Sequence, residues 1–242
     1  MTSFLMRFKK GNMQKSMIEG NTLKLILNFS IPLLLGNLFQ QFYNVVDAAI
    51  VGQTLGSYAL AAVGASSSVQ FLILGFCMGI CQGFAIMVSQ SFGAKRLDEM
   101  HTYIYAGAVW TAITAFVVSI LVVVFCADIL HILQVNDEIF KDAYAYLVVI
   151  FAGIPFTLLY NYLSAILRAI GDSKTPFLFL AFSAVLNIGL DFFCILVLKW
   201  GCAGAAIATI FAQAVSGILC LLLIALKVNV LHIPKSSRYV DK

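Results

Sequence analysis

Charge is what this sequence has least of: 11% of its 242 residues are Asp, Glu, Lys or Arg, against 62% hydrophobic. With a mean hydropathy of +0.98, such a chain cannot clothe itself in polar surface, so a soluble domain is excluded. Alternating polarity in segments of about ten residues, the mark of a membrane β-barrel, is missing too, since Ala143 to Leu167 and Cys202 to Leu226 run without any charge. Paired CxxC motifs and histidines at ligand spacing are also missing, which speaks against a zinc site. Cys77, Cys81, Cys126, Cys194, Cys202 and Cys220 lie in or at the ends of apolar segments and read as small buried hydrophobes, although Cys77 and Cys81 share a helix face. His101, His131 and His232 fall at expected helix ends or in the tail and read as solvated or interfacial. No metal cluster, activated nucleophile pair or phosphate-binding glycine loop occurs, so no enzyme chemistry is expected.

What is present is apolar length. A membrane helix needs roughly 20 apolar residues, and six segments supply it, about 25–52, 57–89, 102–127, 143–167, 176–198 and 202–226. The expected fold class is therefore an all-α membrane protein, a six-transmembrane-helix bundle. Met1–Glu19 is basic and polar and lacks the apolar core of a cleaved signal peptide. Short connections at Gln53–Gly56, Gly171–Lys174 and Lys199–Gly201 make neighbouring helices antiparallel, while Ile129–Asp142 reads as the longest loop.

Lys and Arg set the orientation, because short cytoplasmic loops hold the excess. Arg7, Lys9, Lys10, Lys15, Lys24, Lys95, Arg96, Arg168, Lys174, Lys227, Lys235, Arg238 and Lys242 lie on one side, and only Lys141 and Lys199 on the other. Both termini are expected in the cytoplasm of a multi-pass cell-membrane protein. This asymmetry accounts for the net charge of +4 without a nucleic-acid partner. The expected organisation is a basic N-terminal tail over 1–23, the six-helix lobe over 24–227, and a cytoplasmic tail or the start of an inter-lobe linker over 228–242.

Within the apolar segments only two acids occur, Asp47 and Asp191. An aspartate at the centre of a membrane helix costs about 2.5–3.5 kcal/mol on insertion scales and usually marks an ion or substrate pathway. Asn37, Gln40, Asn44 and Asp47 follow i, i+3, i+7, i+10 spacing, one stripe expected to face the bundle interior or a wet cavity. Asn187 and Asp191 stack at i, i+4, an amide carbonyl beside a carboxylate, suited to a small hard cation. Ala205, Thr209 and Gln213 form a further polar-edged stripe. Asp47, Asp191 and Thr209 each lie about eight residues, or roughly 12 Å, from the outer end of their helix, so three helices present oxygens at one level. Two carboxylates in a low-dielectric pocket disfavour double ionisation unless a cation binds. The site then has a neutral, loaded state and an anionic, empty one, the alternative being a static polar cluster that holds helices in register.

Pro32 and Pro155 each remove a backbone donor and are expected to kink their helices. Gly75, Gly79 and Gly83, and likewise Gly204, Ala208, Ala212 and Ser216, read as seams where a partner helix comes close.

Five stretches together resemble the multidrug and toxic compound extrusion (MATE) family of secondary transporters. They are "IPLLLGNLFQQFYNVVDAAIVGQTLG" from Ile31, "SQSFGAKR" from Ser89, "LRAIGDSKTPF" from Leu167, "NIGLDFF" from Asn187 and "GCAGAAIATIFAQ" from Gly201. The resemblance covers about residues 20–226 and implies the N-terminal lobe of a twelve-helix antiporter. It implies a proton or sodium site at Asp47, Asn187, Asp191 and Thr209, these four being the metal ligands if sodium is the coupling ion, with no other cofactor. Asn37, Gln40, Asn44 and Gln213 are candidates to line the cavity. The function implied is expulsion of small organic cations or amphiphilic drugs, with the lipid bilayer and a second six-helix lobe as partners. The "GDSKTP" stretch reads as a capped turn bent by Gly171 and Pro176. An inactive membrane fragment and a lipid-linked saccharide flippase are the alternatives; the flippase needs basic residues in its cavity, and no Lys or Arg lies in a membrane interior.

Overall fold

The computed structural model describes residues 22–231, and every regular element among them is helical. The elements are α1 (Thr22–Leu55), α2 (Ser57–Gly93), α3 (Leu97–Val124), α4 (Cys126–Ile132), α5 (Asp137–Ala152), α6 (Ile154–Ala169), α7 (Lys174–Phe192) and α8 (Gly201–Lys227). A π-helical turn, Phe193–Val197, continues α7, and a 3-10 turn, Asn229–Leu231, follows α8. Five helices are long and apolar enough to cross a membrane, and α5 with α6 makes a sixth span bent by 49°. Of the expected tails over 1–23 and 228–242, residues 1–21 and 232–242, His232 included, lie outside the described residues.

Helix is the only solution here because lipid offers backbone N–H and C=O groups no other partner. The ends are closed by local devices. At the α6–α7 turn, Asp172 N–H bonds Leu167 C=O at 3.0 Å and Gly171 N–H bonds Arg168 C=O at 3.0 Å, with Gly171 at φ +90°, the double bond of a Schellman ending. The Asp172 carboxylate then accepts from the Lys174 and Thr175 N–H groups, both at 3.1 Å, and Pro176 sits in the first turn of α7, where a missing donor costs nothing. The expected capped turn is present.

Three expectations are corrected. Ile129–Asp142 is not a loop: α4 runs to Ile132 and α5 begins at Asp137, because Asn136 accepts from Glu138 N–H at 3.1 Å and Asp137 and Glu138 occupy the first turn, where acids suit the helix dipole. The fourth span does bend near Pro155, by 49°, but at a break and not within a continuous helix. The helix breaks at Gly153, and Pro155 lies at the start of α6, where its ring is tolerated. Gly75, Gly79 and Gly83 draw no helix close; a Cβ added at any of them would meet nothing within 4 Å. The other seam holds, with Gly204, Ala208, Ala212 and Ser216 all buried.

The core lies where α8 packs against α5, α6 and α7, and where α2 packs against α3 and α6. Phe151, Leu147, Leu158 and Leu167 fill it. Ser119 on α3 donates to Phe151 C=O at 2.7 Å, pinning the end of α5 beside the bend. His101 is buried rather than solvated, because its Nε2 bonds Val230 C=O at 2.7 Å and ties α3 to the final turn. His131 is exposed and stacks on Phe140. All six cysteines are buried and free. The first helix stands apart from this core: α1 runs through Pro32 without interruption and packs mainly on α7 and α2.

Candidate functional site

Three helices bring polar groups to one place. Asp191 closes α7 one residue before its end and is fully buried, with Asn187 one turn earlier and also buried. The π-helical turn follows immediately; such turns widen the helix and often accompany functional positions. From α8, Thr209 Oγ1 accepts from Asn187 Nδ2 at 3.2 Å and pairs with the Tyr43 hydroxyl of α1 at 3.3 Å. Asp47, one turn beyond Tyr43, is half-buried and lies within electrostatic range of Asp191. Asp47, Asn187, Asp191 and Thr209 are thus brought together.

The acceptors at this point outnumber the donors. Among the described residues no donor reaches Asp47 Oδ1, Asn187 Oδ1 or either carboxylate oxygen of Asp191, and all four atoms are buried. Buried oxygens without donors carry a desolvation cost, which a proton or a small hard cation relieves. The donor set therefore fits sodium as well as a proton. Among the described residues no group of three or more His, Cys, Asp and Glu is placed to hold a metal ion; the side chains gathered here offer carboxylate, amide and hydroxyl oxygens.

Two tyrosines complete the setting. Tyr43 and Tyr146 of α5 are both buried within electrostatic range of Asp47 and Asp191. Tyr43 stands four residues before Asp47, a spacing visible in the sequence. Tyr146 has no periodic relation to either acid.

The remaining candidates are more dispersed. Asn37 and Asn44 are exposed, Asn44 Nδ2 bonding Gln41 Oε1 at 3.3 Å, and Gln40 is half-buried. The stripe is not buried in the bundle: Asn37 borders a small cavity against α7, Asn44 is on the open side of α1, and Asp47 turns toward Asp191. Gln213 is half-buried, one turn from Thr209, with its Oε1 buried and without a donor. Pro32 lines a small cavity with Asn37, away from the carboxylates. Arg168 lines the same cavity and is half-buried, so a cation does reach inside the lobe at its end.

The MatE family model matches residues 32–193. The chain belongs to the MatE family. Relatives of this MatE chain include the probable multidrug resistance protein YpnP of Bacillus subtilis, 36% identical over 200 residues, covering 82% of this chain and 44% of YpnP. The FAD transporter of Shewanella oneidensis is 24% identical over 80% of this chain and 43% of its own length. Among solved structures, an outward-facing MATE multidrug resistance transporter superposes with a TM-score of 0.86 over 92% of this chain and 49% of its own, at 24% identity. A MOP-superfamily transporter from Pyrococcus furiosus also gives 0.86, at 25% identity, over 92% and 49%. This MatE chain spans about half the length of the relatives it matches, a multi-pass membrane fold equal to one lobe of theirs.

Proposed function

We propose that the chain forms the N-terminal lobe of a cation-coupled exporter, in which entry of a proton or sodium ion drives expulsion of organic cations or amphiphilic drugs. The observation that carries this reading is the set of donor-free oxygens on Asp47, Asn187 and Asp191 beside Thr209. Two adjacent carboxyl groups share a proton or a cation rather than stand side by side as anions. Loaded, the site holds α1 against α7 and α8; emptied, the repulsion between Asp47 and Asp191 drives α1 away from them. Because α1 packs by one edge, it is the element such a charge change can move. Tyr43, bonded to Thr209 in the arrangement described, moves with it.

A second lobe supplies the rest of the substrate cleft in this reading. Its docking face includes the bare Gly75, Gly79 and Gly83 seam of α2, and Asn37, Gln40, Asn44 and Gln213 line the cleft. Lobe boundaries of 24–227 in the cell membrane rest on the apolar segments, and cytoplasmic termini on the Lys and Arg distribution. The names of relatives such as YpnP support drug efflux, and that of the FAD transporter marks how widely substrates vary among them.

The test is gradient-driven uptake of a fluorescent organic cation into proteoliposomes holding the full chain, with Asp47→Asn and Asp191→Asn beside it. Movement under a pH or sodium gradient that both substitutions abolish, with folding retained, supports the reading. Full activity in either substituted chain overturns the assignment of that carboxylate.

A further inference from the structure

A second polar feature lies toward the other end of the bundle, where α6 ends, α7 begins and α1 passes alongside. A small cavity there is lined by Arg168, Tyr160 and Ser173 of α6 and its turn, by Asn37 and Pro32 of α1, and by Phe177 of α7. Arg168 is the penultimate residue of α6 and is half-buried, yet no carboxylate pairs with it: the one ion pair among the described residues is Arg96 with Glu99. The nearest acid in sequence, Asp172, has turned its Oδ1 to the N–H groups of Lys174 and Thr175, and its Oδ2 is buried without a hydrogen-bond partner, so it forms no ion pair with Arg168. A guanidinium taken part-way out of water without a directly bonded counter-ion is expensive, and its planar fork suits an oxyanion.

The neighbours narrow the chemistry. The Ser173 side chain is free of hydrogen-bond partners among the described residues and lines the cavity, as does the Asn37 carboxamide, so two neutral groups stand ready beside the cation. Tyr160 does not compete, because its hydroxyl donates to Pro176 C=O at 3.0 Å. Apolar side chains border the opening: Leu34 and Leu35, between the lining residues Leu33 and Gly36, are exposed, as is Leu178 beside Phe177. A cation at a helix end, polar donors around it and bare leucines alongside form the setting for a phosphate at a membrane surface.

We propose that the Arg168 cavity binds a negatively charged phosphate group, carried by an anionic phospholipid headgroup or free in solution. This binding is separate from the Asp47 and Asp191 site and does not depend on transport.

The full chain in nanodiscs of phosphatidylcholine, thermally unfolded with added phosphatidylglycerol or with added inorganic phosphate, tests it. Stabilisation by phosphatidylglycerol that Arg168→Gln weakens roughly ten- to hundredfold in effective concentration supports the site and assigns the lipid as source. The same pattern with inorganic phosphate alone supports it with a free anion as source. Exposed Lys174 is the control, since Lys174→Gln leaves either response in place. Arg168→Lys keeps the charge, and its response falls between those of the native chain and Arg168→Gln; if Arg168→Gln does not fold, a response in Arg168→Lys equal to the native one overturns the proposal. Equal stabilisation of native and Arg168→Gln chains, or none by either additive, overturns it too.

Discussion

A Cβ placed on Gly153 would land on Ile210 of α8, touching Cδ1 and Cγ1 and lying 2.6 Å from Cγ2. A terminal methyl alone could rotate aside, but Cγ1 and Cγ2 both branch from the Ile210 Cβ, so no rotamer clears all three. Either α8 or the α5–α6 bend must shift, and overpacking of this kind costs about 1–3 kcal/mol. Alanine recovers up to about 1 kcal/mol by restricting the unfolded chain, and Gly153 at φ −82° imposes no strain on it. The net expectation for Gly153→Ala is a loss of about 1–2 kcal/mol, which at roughly 2–4 °C per kcal/mol lowers the thermal midpoint by about 2–8 °C. Thermal unfolding of the purified chain in detergent reads this directly. Ile210→Ala removes the colliding atoms, so the double substitution should be more stable than the sum of the two single losses by about 1 kcal/mol or more. Strict additivity would refute the steric argument. Because Ile210 adjoins Thr209, the single substitution should also weaken the ion binding proposed for the carboxylate site, and the double should restore it.

Thr209→Val keeps the shape but strips the hydroxyl that serves Asn187 and Tyr43; leaving buried groups unmatched costs about 1–3 kcal/mol each, while Thr209→Ser should stay near native in the same unfolding assay. Asp172→Ala removes the acceptor of two N–H groups at the start of α7, an expected loss of about 0.5–2 kcal/mol, with Asp172→Asn close to native.

How much of this was readable from the residues depended on whether a signal stood out against an apolar background. Asp47 and Asp191 did, because any charge in such a stretch is conspicuous, and the four-residue step from Asn187 to Asp191 placed both on one face. Equal distances from the helix ends then put Thr209 at their level, as the packing of α1, α7 and α8 has it. Tyr43 and Tyr146 were not singled out, since an aromatic ring in a membrane helix looks like any other apolar residue and only the fold brings its hydroxyl to a carboxylate. The bend was half visible: Pro155 signalled a distortion, but the break falls at Gly153, where close approach of Ile210 admits nothing larger. The polar stretch after Ile129 read as a loop because its acids were counted as solvated, whereas behind Asn136 they open a helix. Gly75, Gly79 and Gly83 have the spacing of a packing seam, and spacing alone does not say whether the partner belongs to this lobe.

The joint between α1 and α2 is a single residue, Gly56, at φ +92° and ψ −179°, a backbone state open to glycine and closed to side-chain-bearing residues. Its N–H bonds Gly52 and its C=O receives Leu60, both at 3.2 Å, so the hydrogen bonding of one helix is handed to the next with no slack. Reporter insertions for mapping sidedness will therefore disrupt the first hairpin if placed there. Epitopes and cysteine labels belong instead at residues 133–136 and at the exposed Ala94 and Arg96, positions that flank the α3 span from either end.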